Sequence, residues 1–125
     1  MSKSSRRALH ARLSPFVSAE LDLARNAVTN EAWARLERAH ILSQPFAGLH
    51  VKVHVHMIAR AFRDRCWGEL LGQLPRIVLA GPGSLFGRYP RGNRGTTAIS
   101  MFASEPVPPD LDDLLNPPQR PPYAP

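Results

Sequence analysis

The sequence predicts an all-α fold: two tetratricopeptide-like antiparallel helical hairpins, four helices in all, closed by a Gly/Pro-rich loop and followed by a flexible Pro-rich C-terminal tail. Three observations point there. Trp33 and Trp67 stand 34 residues apart, and at that offset Asn30 falls on Asp64, Ala27 on Ala61 and Leu36 on Leu70. Thirty-four residues is the period of a tetratricopeptide-type hairpin, whose units bury their apolar faces by stacking. Apolar residues recur at helical spacing through the first two-thirds of the chain. Glycine and proline, 21 of the 125 residues, fall mostly after residue 71, so chain breakers are concentrated in the C-terminal part.

Ser14-Pro15 is a helix start, with the serine as cap and proline at the first helical position. Val17, Leu21, Ala24 and Val28 then step by four, three and four, which makes one stripe. Asn30 can cap a second helix, Glu31 to about Leu42, that ends at Ser43-Gln44-Pro45. Residues 49 to 57 alternate in the period of a strand, but the stripe Val51, Val55, Ile58 and Phe62 continues beyond the alternation, so the segment is read as the third helix. Asp64 is placed as the cap of a fourth, Cys66 to about Ala80, which Pro75 should bend. Gly81-Pro82-Gly83 and the glycines after it read as a loop, Thr96 to Phe102 as a short extended piece, and Asp110 to Leu115 as one helical turn within the tail. The domain division is therefore a basic flexible N-terminus (1–13), a helical hairpin domain with its closing loop (14–102) and an acidic Pro-rich tail (103–125).

Charge is uneven along the chain. The total is +6, but residues 1–102 carry 15 basic and 6 acidic side chains, net +9, while residues 103–125 carry 1 and 4, net −3. Such a body attracts polyanions in a salt-sensitive way, or simply presents a solvated Arg-rich surface. The lone cysteine, Cys66, excludes an internal disulfide, and no apolar run approaches a membrane span. A cytoplasmic protein is expected, without membrane association.

Two groups of residues could carry chemistry. On the second helix Trp33, Leu36, Glu37 and His40 project in one sector, with Arg35 and Arg38 opposite. On the third, His50, His54, Met57 and Ala61 form a ridge, while His56 lies with Lys52, Arg60 and Arg63 toward solvent. A Glu-x-x-His pair and a His-x-x-x-His pair on consecutive helices put Glu37, His40, His50 and His54 where a divalent transition metal (zinc, copper, nickel or iron) could be held. Cys66 and Met57 are more distant donors. The structural alternative is a hydrogen-bonded Glu/His network. The second group is the loop Gly87-Arg88-Tyr89-Pro90-Arg91-Gly92-Asn93-Arg94-Gly95, in which Arg88, Arg91, Asn93 and Arg94 could form an anion-binding nest. The loop lacks the ending of a P-loop, and its other reading is a turn-rich cover over the helices.

The stretches Leu36-Glu37-Arg38-Ala39-His40-Ile41-Leu42, His50-Val51-Lys52-Val53-His54 and Gly87-Arg88-Tyr89-Pro90-Arg91-Gly92-Asn93-Arg94-Gly95, with Leu71-Gly72-Gln73 and Pro106-Val107-Pro108-Pro109-Asp110-Leu111, resemble a small bacterial family catalogued only as a domain of unknown function. The resemblance covers roughly residues 16 to 112. It implies no activity, but it marks Glu37, His40, His50, His54, Gly92, Asn93 and Gly95 as matching positions. The chain departs from the pattern at Arg94-Gly95-Thr96 and at Pro75.

The expectation that follows is a small non-enzymatic metal-binding protein. The rival is a tetratricopeptide-like interaction module, with a protein partner or a second copy of the chain in its groove. Nucleic acid ranks last, since no recognition helix or aromatic platform is evident.

Overall fold

The computed structural model describes residues 1–118. Five α-helices account for the secondary structure of the described residues: α1 (Lys3–Asn26), α2 (Thr29–Ser43), α3 (Ala47–Arg63), α4 (Trp67–Leu85) and α5 (Pro109–Leu115). α1 packs on α2 and α3 on α4 as two hairpins, joined through α2 against α3. Residues 49–57 are helical, as the longer stripe requires.

Several boundaries differ from the sequence reading. α1 begins at Lys3 rather than at Ser14-Pro15, with Ser2 as its cap, whose Oγ accepts from the Ser5 N–H at 3.0 Å. The reason is that Leu9 and Leu13 extend the stripe Val17, Leu21 and Ala24 backward by fours. Leu13 is fully buried and Leu9 packs against the core. Pro15 is absorbed on the exposed side of the helix, where a missing backbone bond costs least. α4 likewise runs through Pro75, Gly81, Pro82 and Gly83 to Leu85 instead of stopping near Ala80. Both its prolines face outward. Asp64 ends α3 rather than starting α4. Arg65 follows it at φ 56°, and Cys66 N–H reaches back to Ala61 O at 2.8 Å, a left-handed helix stop. Residues 96–102 form turns, with no strand among the described residues.

The 34-residue register does not survive residue by residue. Trp33 is the half-buried fifth residue of α2, whereas Trp67 is the half-exposed first residue of α4.

The core is built from α1, α2 and α3: Leu13, Val17, Leu21, Leu36, Ala39, Leu42, Val53 and Met57. The buried face of α3 is His50, Val53, His54, Met57 and Ala61, while Val55 and Phe62, placed by the sequence in the apolar stripe, are exposed. Arg60 is not solvent-facing but buried. It donates to Ala24 O and Ala27 O and pairs with Asp64 at 2.8 Å, which ties the end of α1 to that of α3.

The tail is not free over its described part. Leu111 is fully buried in the core, and Val107, Leu114 and Leu115 pack against it. Arg38–Asp110 (2.6 Å), Arg91–Asp112 (2.8 Å) and Arg94–Glu105 (3.0 Å) join the basic body to the acidic tail. The flexible ending assigned to residues 119–125 lies outside the described residues.

Candidate metal centre

Three of the four sequence-derived ligands meet in the interior. His40 arrives from α2, and His50 and His54 come one turn apart on α3; all three are buried. His40 Nε2 lies 2.9 Å from His50 Nε2 and 3.1 Å from His54 Nε2. The trio is the group among the described residues whose donor atoms are close enough to share one metal ion.

The protonation of each ring follows from its other nitrogen. His40 Nδ1 is 2.6 Å from Asn93 O, a carbonyl that can only accept, so Nδ1 carries the hydrogen. His54 Nδ1 is 2.6 Å from Gln73 Oε1. The orientation of that amide is set by Gln73 Nε2, which donates to Glu69 (2.7 Å) and Gly95 O (2.8 Å). His50 Nδ1 is 2.8 Å from Ser84 Oγ, whose own hydrogen goes to Gln44 O at 2.5 Å, so the hydroxyl accepts from the ring. With three Nδ1–H groups committed outward, the three neutral rings turn Nε2 lone pairs toward one another. Lone pairs at 2.9–3.1 Å repel, and a cation between them converts the repulsion to attraction. Tetrahedral zinc with nitrogens at 2.0–2.1 Å sets them about 3.3–3.4 Å apart, an opening of a few tenths of an ångström for the His40–His50 and His40–His54 pairs, within a trio whose donor atoms all lie within 4.8 Å of one another.

Protonation is the weaker way to supply that cation. Burial, then the mutual repulsion of the rings, holds His40 well below the ordinary histidine range; burial and His54 bring His50 down to about 3; burial lowers His54 too. A ring that resists a proton stays a free ligand near neutral pH.

Gln73 and Ser84 were not among the sequence candidates, because an amide and a hydroxyl carry no ligand signature. The signal available was their position. Leu70, Gln73, Ile77, Ala80 and Ser84 form the inward stripe of α4, and Leu71-Gly72-Gln73 is one of the family-like motifs.

Glu37 stands apart from the trio. Its carboxylate accepts from Thr96 Oγ1 at 3.5 Å and lies 3.9 Å from Arg94, and burial raises its pKa. Of the distant donors, Met57 sits in the apolar core and Cys66 is exposed at the start of α4.

The glycine loop supports the histidines. Arg91 and Arg94 are paired with carboxylates, and Asn93 is buried. Asn93 Nδ2 donates to Ser100 O and Ala103 O, while its Oδ1 accepts from Gly95 N–H. Gln44 fastens the same loop through Pro90 O and Gly92 N–H. Three of the four residues assigned to an anion nest are thus occupied, leaving Arg88, which enters none of the ion pairs among the described residues. Gly95 has φ +84°, and a Cβ there would fall 2.5–2.7 Å from the His40 ring, so backbone and imidazole approach as only glycine allows.

No curated protein and no solved structure matches the chain. Residues 11–115 match the family described as a protein of unknown function (DUF3703), and the chain belongs to that family.

Proposed function

We propose that the protein holds one divalent transition-metal ion, zinc in the first instance and copper, nickel or iron as alternatives, on the Nε2 atoms of His40, His50 and His54. The observation that carries this is the approach of His40 Nε2 to both His50 Nε2 and His54 Nε2, with the Nδ1 atom of each ring beside a group that can accept its hydrogen. Outer partners that fix the tautomer and orientation of a ligating histidine are a recurrent feature of metal sites. Three neutral protein ligands and one open position is a zinc arrangement with room for a fourth, exchangeable ligand. Titration of the metal-free chain with zinc, copper, nickel and cobalt tests it. Binding tighter than about micromolar, lost in His40→Ala and in His54→Ala, is the expected result; weaker binding by the wild-type chain contradicts it.

The outer face of α4 favours a second, compatible reading as an interaction module. Trp67, Leu71, Leu74, Val78 and Leu85 recur at coiled-coil spacing and are roughly half to two-thirds exposed, with exposed Phe62 stacked edge-on to Trp67. We infer that a second copy of the chain covers this face. The stripe carries no charge to select a different partner. Six side chains at roughly 100 Å² each, counted on both copies, bring about 1,200 Å² together, the lower bound for a stable interface. Sedimentation should give a dimer that the Leu71→Glu/Val78→Glu variant dissociates; a wild-type monomer at about 100 μM contradicts this reading.

A further inference from the structure

The three histidines form one wall of a cavity of about 190 Å³ that opens toward solvent. The remaining lining mixes apolar, neutral polar and charged groups, with Gln44, Tyr89 and Asn93 as its neutral polar side chains. Leu79, Pro82, Met101 and Phe102 supply an apolar surface, and Arg76 and Arg88 are the charged side chains apart from the histidines; no carboxylate lines it. Phe102 is three-quarters exposed and stands among the lining residues.

We propose that this cavity delivers a small organic carboxylate with an apolar body, about the size of benzoate, to the open position of the metal. The proposal rests on the metal reading given above. Charge argues for an anion. Neutral imidazoles leave both charges of a divalent ion uncompensated, and Glu37 and Glu69 are otherwise engaged: Glu37 beside Arg94, and Glu69 with Gln73 and the Thr97 N–H and hydroxyl. Arg76 is held rigidly by Gly72 O, Thr96 O and Ile99 O, and its Nε is buried without a partner, so it adds fixed positive charge and an unspent donor. Arg88, exposed and outside every ion pair among the described residues, is left to meet the anion at the entrance.

Size and polarity argue for an apolar body. An apolar cavity near 150 Å³ accommodates a benzene ring, and the four apolar residues offer such a ring apolar contact, whereas a small hydrated anion gains nothing from them.

The test uses the full chain loaded with cobalt(II), whose visible spectrum reports a change of ligand. Benzoate should change the spectrum saturably and bind at least about tenfold tighter than acetate. Arg88→Gln should weaken benzoate about tenfold while leaving cobalt affinity and the benzoate-free spectrum as in the wild type. A cobalt-loaded chain whose spectrum ignores benzoate to about 10 mM, or that binds acetate equally well, overturns the carboxylate proposal and leaves the metal reading standing. Benzoate binding unchanged in Arg88→Gln overturns the entrance role and the proposal with it. Failure of cobalt to bind at all overturns both readings.

Discussion

His54 is oriented by an amide whose own two donors are already committed, so its Nε2 can turn only toward His40. Replacing Gln73 by leucine keeps the volume and removes the acceptor. Zinc affinity, read by competition with a chromophoric chelator, should fall about 10- to 100-fold; an unchanged affinity would show that the tautomer is not held by this contact. The same burial makes the metal-free chain sensitive to acid. The folded-state pKa values of His40, His50 and His54 lie below the ordinary 6.5, so between that value and about 3, where His50 titrates, the unfolded chain binds more protons than the folded one. Stability therefore rises with pH across this window and is lost as pH falls through it, by at most about a factor of ten in the folding equilibrium per pH unit per ring. Urea midpoints at pH 7 and pH 4.5 should differ, and His50→Ala should reduce the difference; equal midpoints in the wild type would contradict the burial argument. At this scale the sequence was legible where the residue type announces its chemistry. His40, His50 and His54 could be picked out and His56 set aside, but Glu37 shared a helical face with His40 without sharing its destination, because Thr96 and Arg94 of a distant loop claim the carboxylate.

At the scale of elements, α4 inverts the usual rule. Its more apolar stripe faces outward, and Gln73, Ala80 and Ser84 are the residues it buries. Periodicity alone identifies both stripes and cannot say which goes in, since the choice is made by the histidines of α3 that need an acceptor each. Breakers misled for a related reason. Pro15, Pro75 and Pro82 all lie on exposed sides of helices whose inner faces are continuous, so packing overrides local propensity. The glycine loop is the clearest case of chemistry hidden by composition. Arginines and glycines suggested an anion nest, yet the backbone of Asn93 and Gly95 is what reaches His40 and Gln73. Gly95→Ala should cost about 1–3 kcal/mol from the positive φ alone, with a further loss from the clash at His40, and should lower zinc affinity as well. Thermal unfolding with and without zinc checks both; a wild-type melting temperature in this variant would show that the loop does not pack on the ring as described.

For the molecule as a whole, the uneven charge read from the sequence has an internal use. The acidic tail meets the basic body at Arg38, Arg91 and Arg94, and Leu111 enters the core between these pairs. Exposed ion pairs of this kind contribute little each, so the docking rests on Leu111. Leu111→Ala should destabilise the chain by about 2–5 kcal/mol and expose residues 103–118 to proteolysis, whereas Asp110→Asn should change stability by less than about 1 kcal/mol. Equal effects of the two variants would place the docking energy in the ion pairs instead. No helix among the described residues is long and apolar enough to cross a membrane, and the fold's most specific feature is an interior where three imidazoles from α2 and α3 meet against α4 and the glycine loop. X-ray absorption at the zinc edge of the loaded chain examines that interior most directly. One ion per chain is expected, with three imidazole nitrogens at about 2.0–2.1 Å and one exchangeable oxygen ligand; a sulfur neighbour, fewer than three imidazoles, or no retained zinc would contradict the three-histidine site.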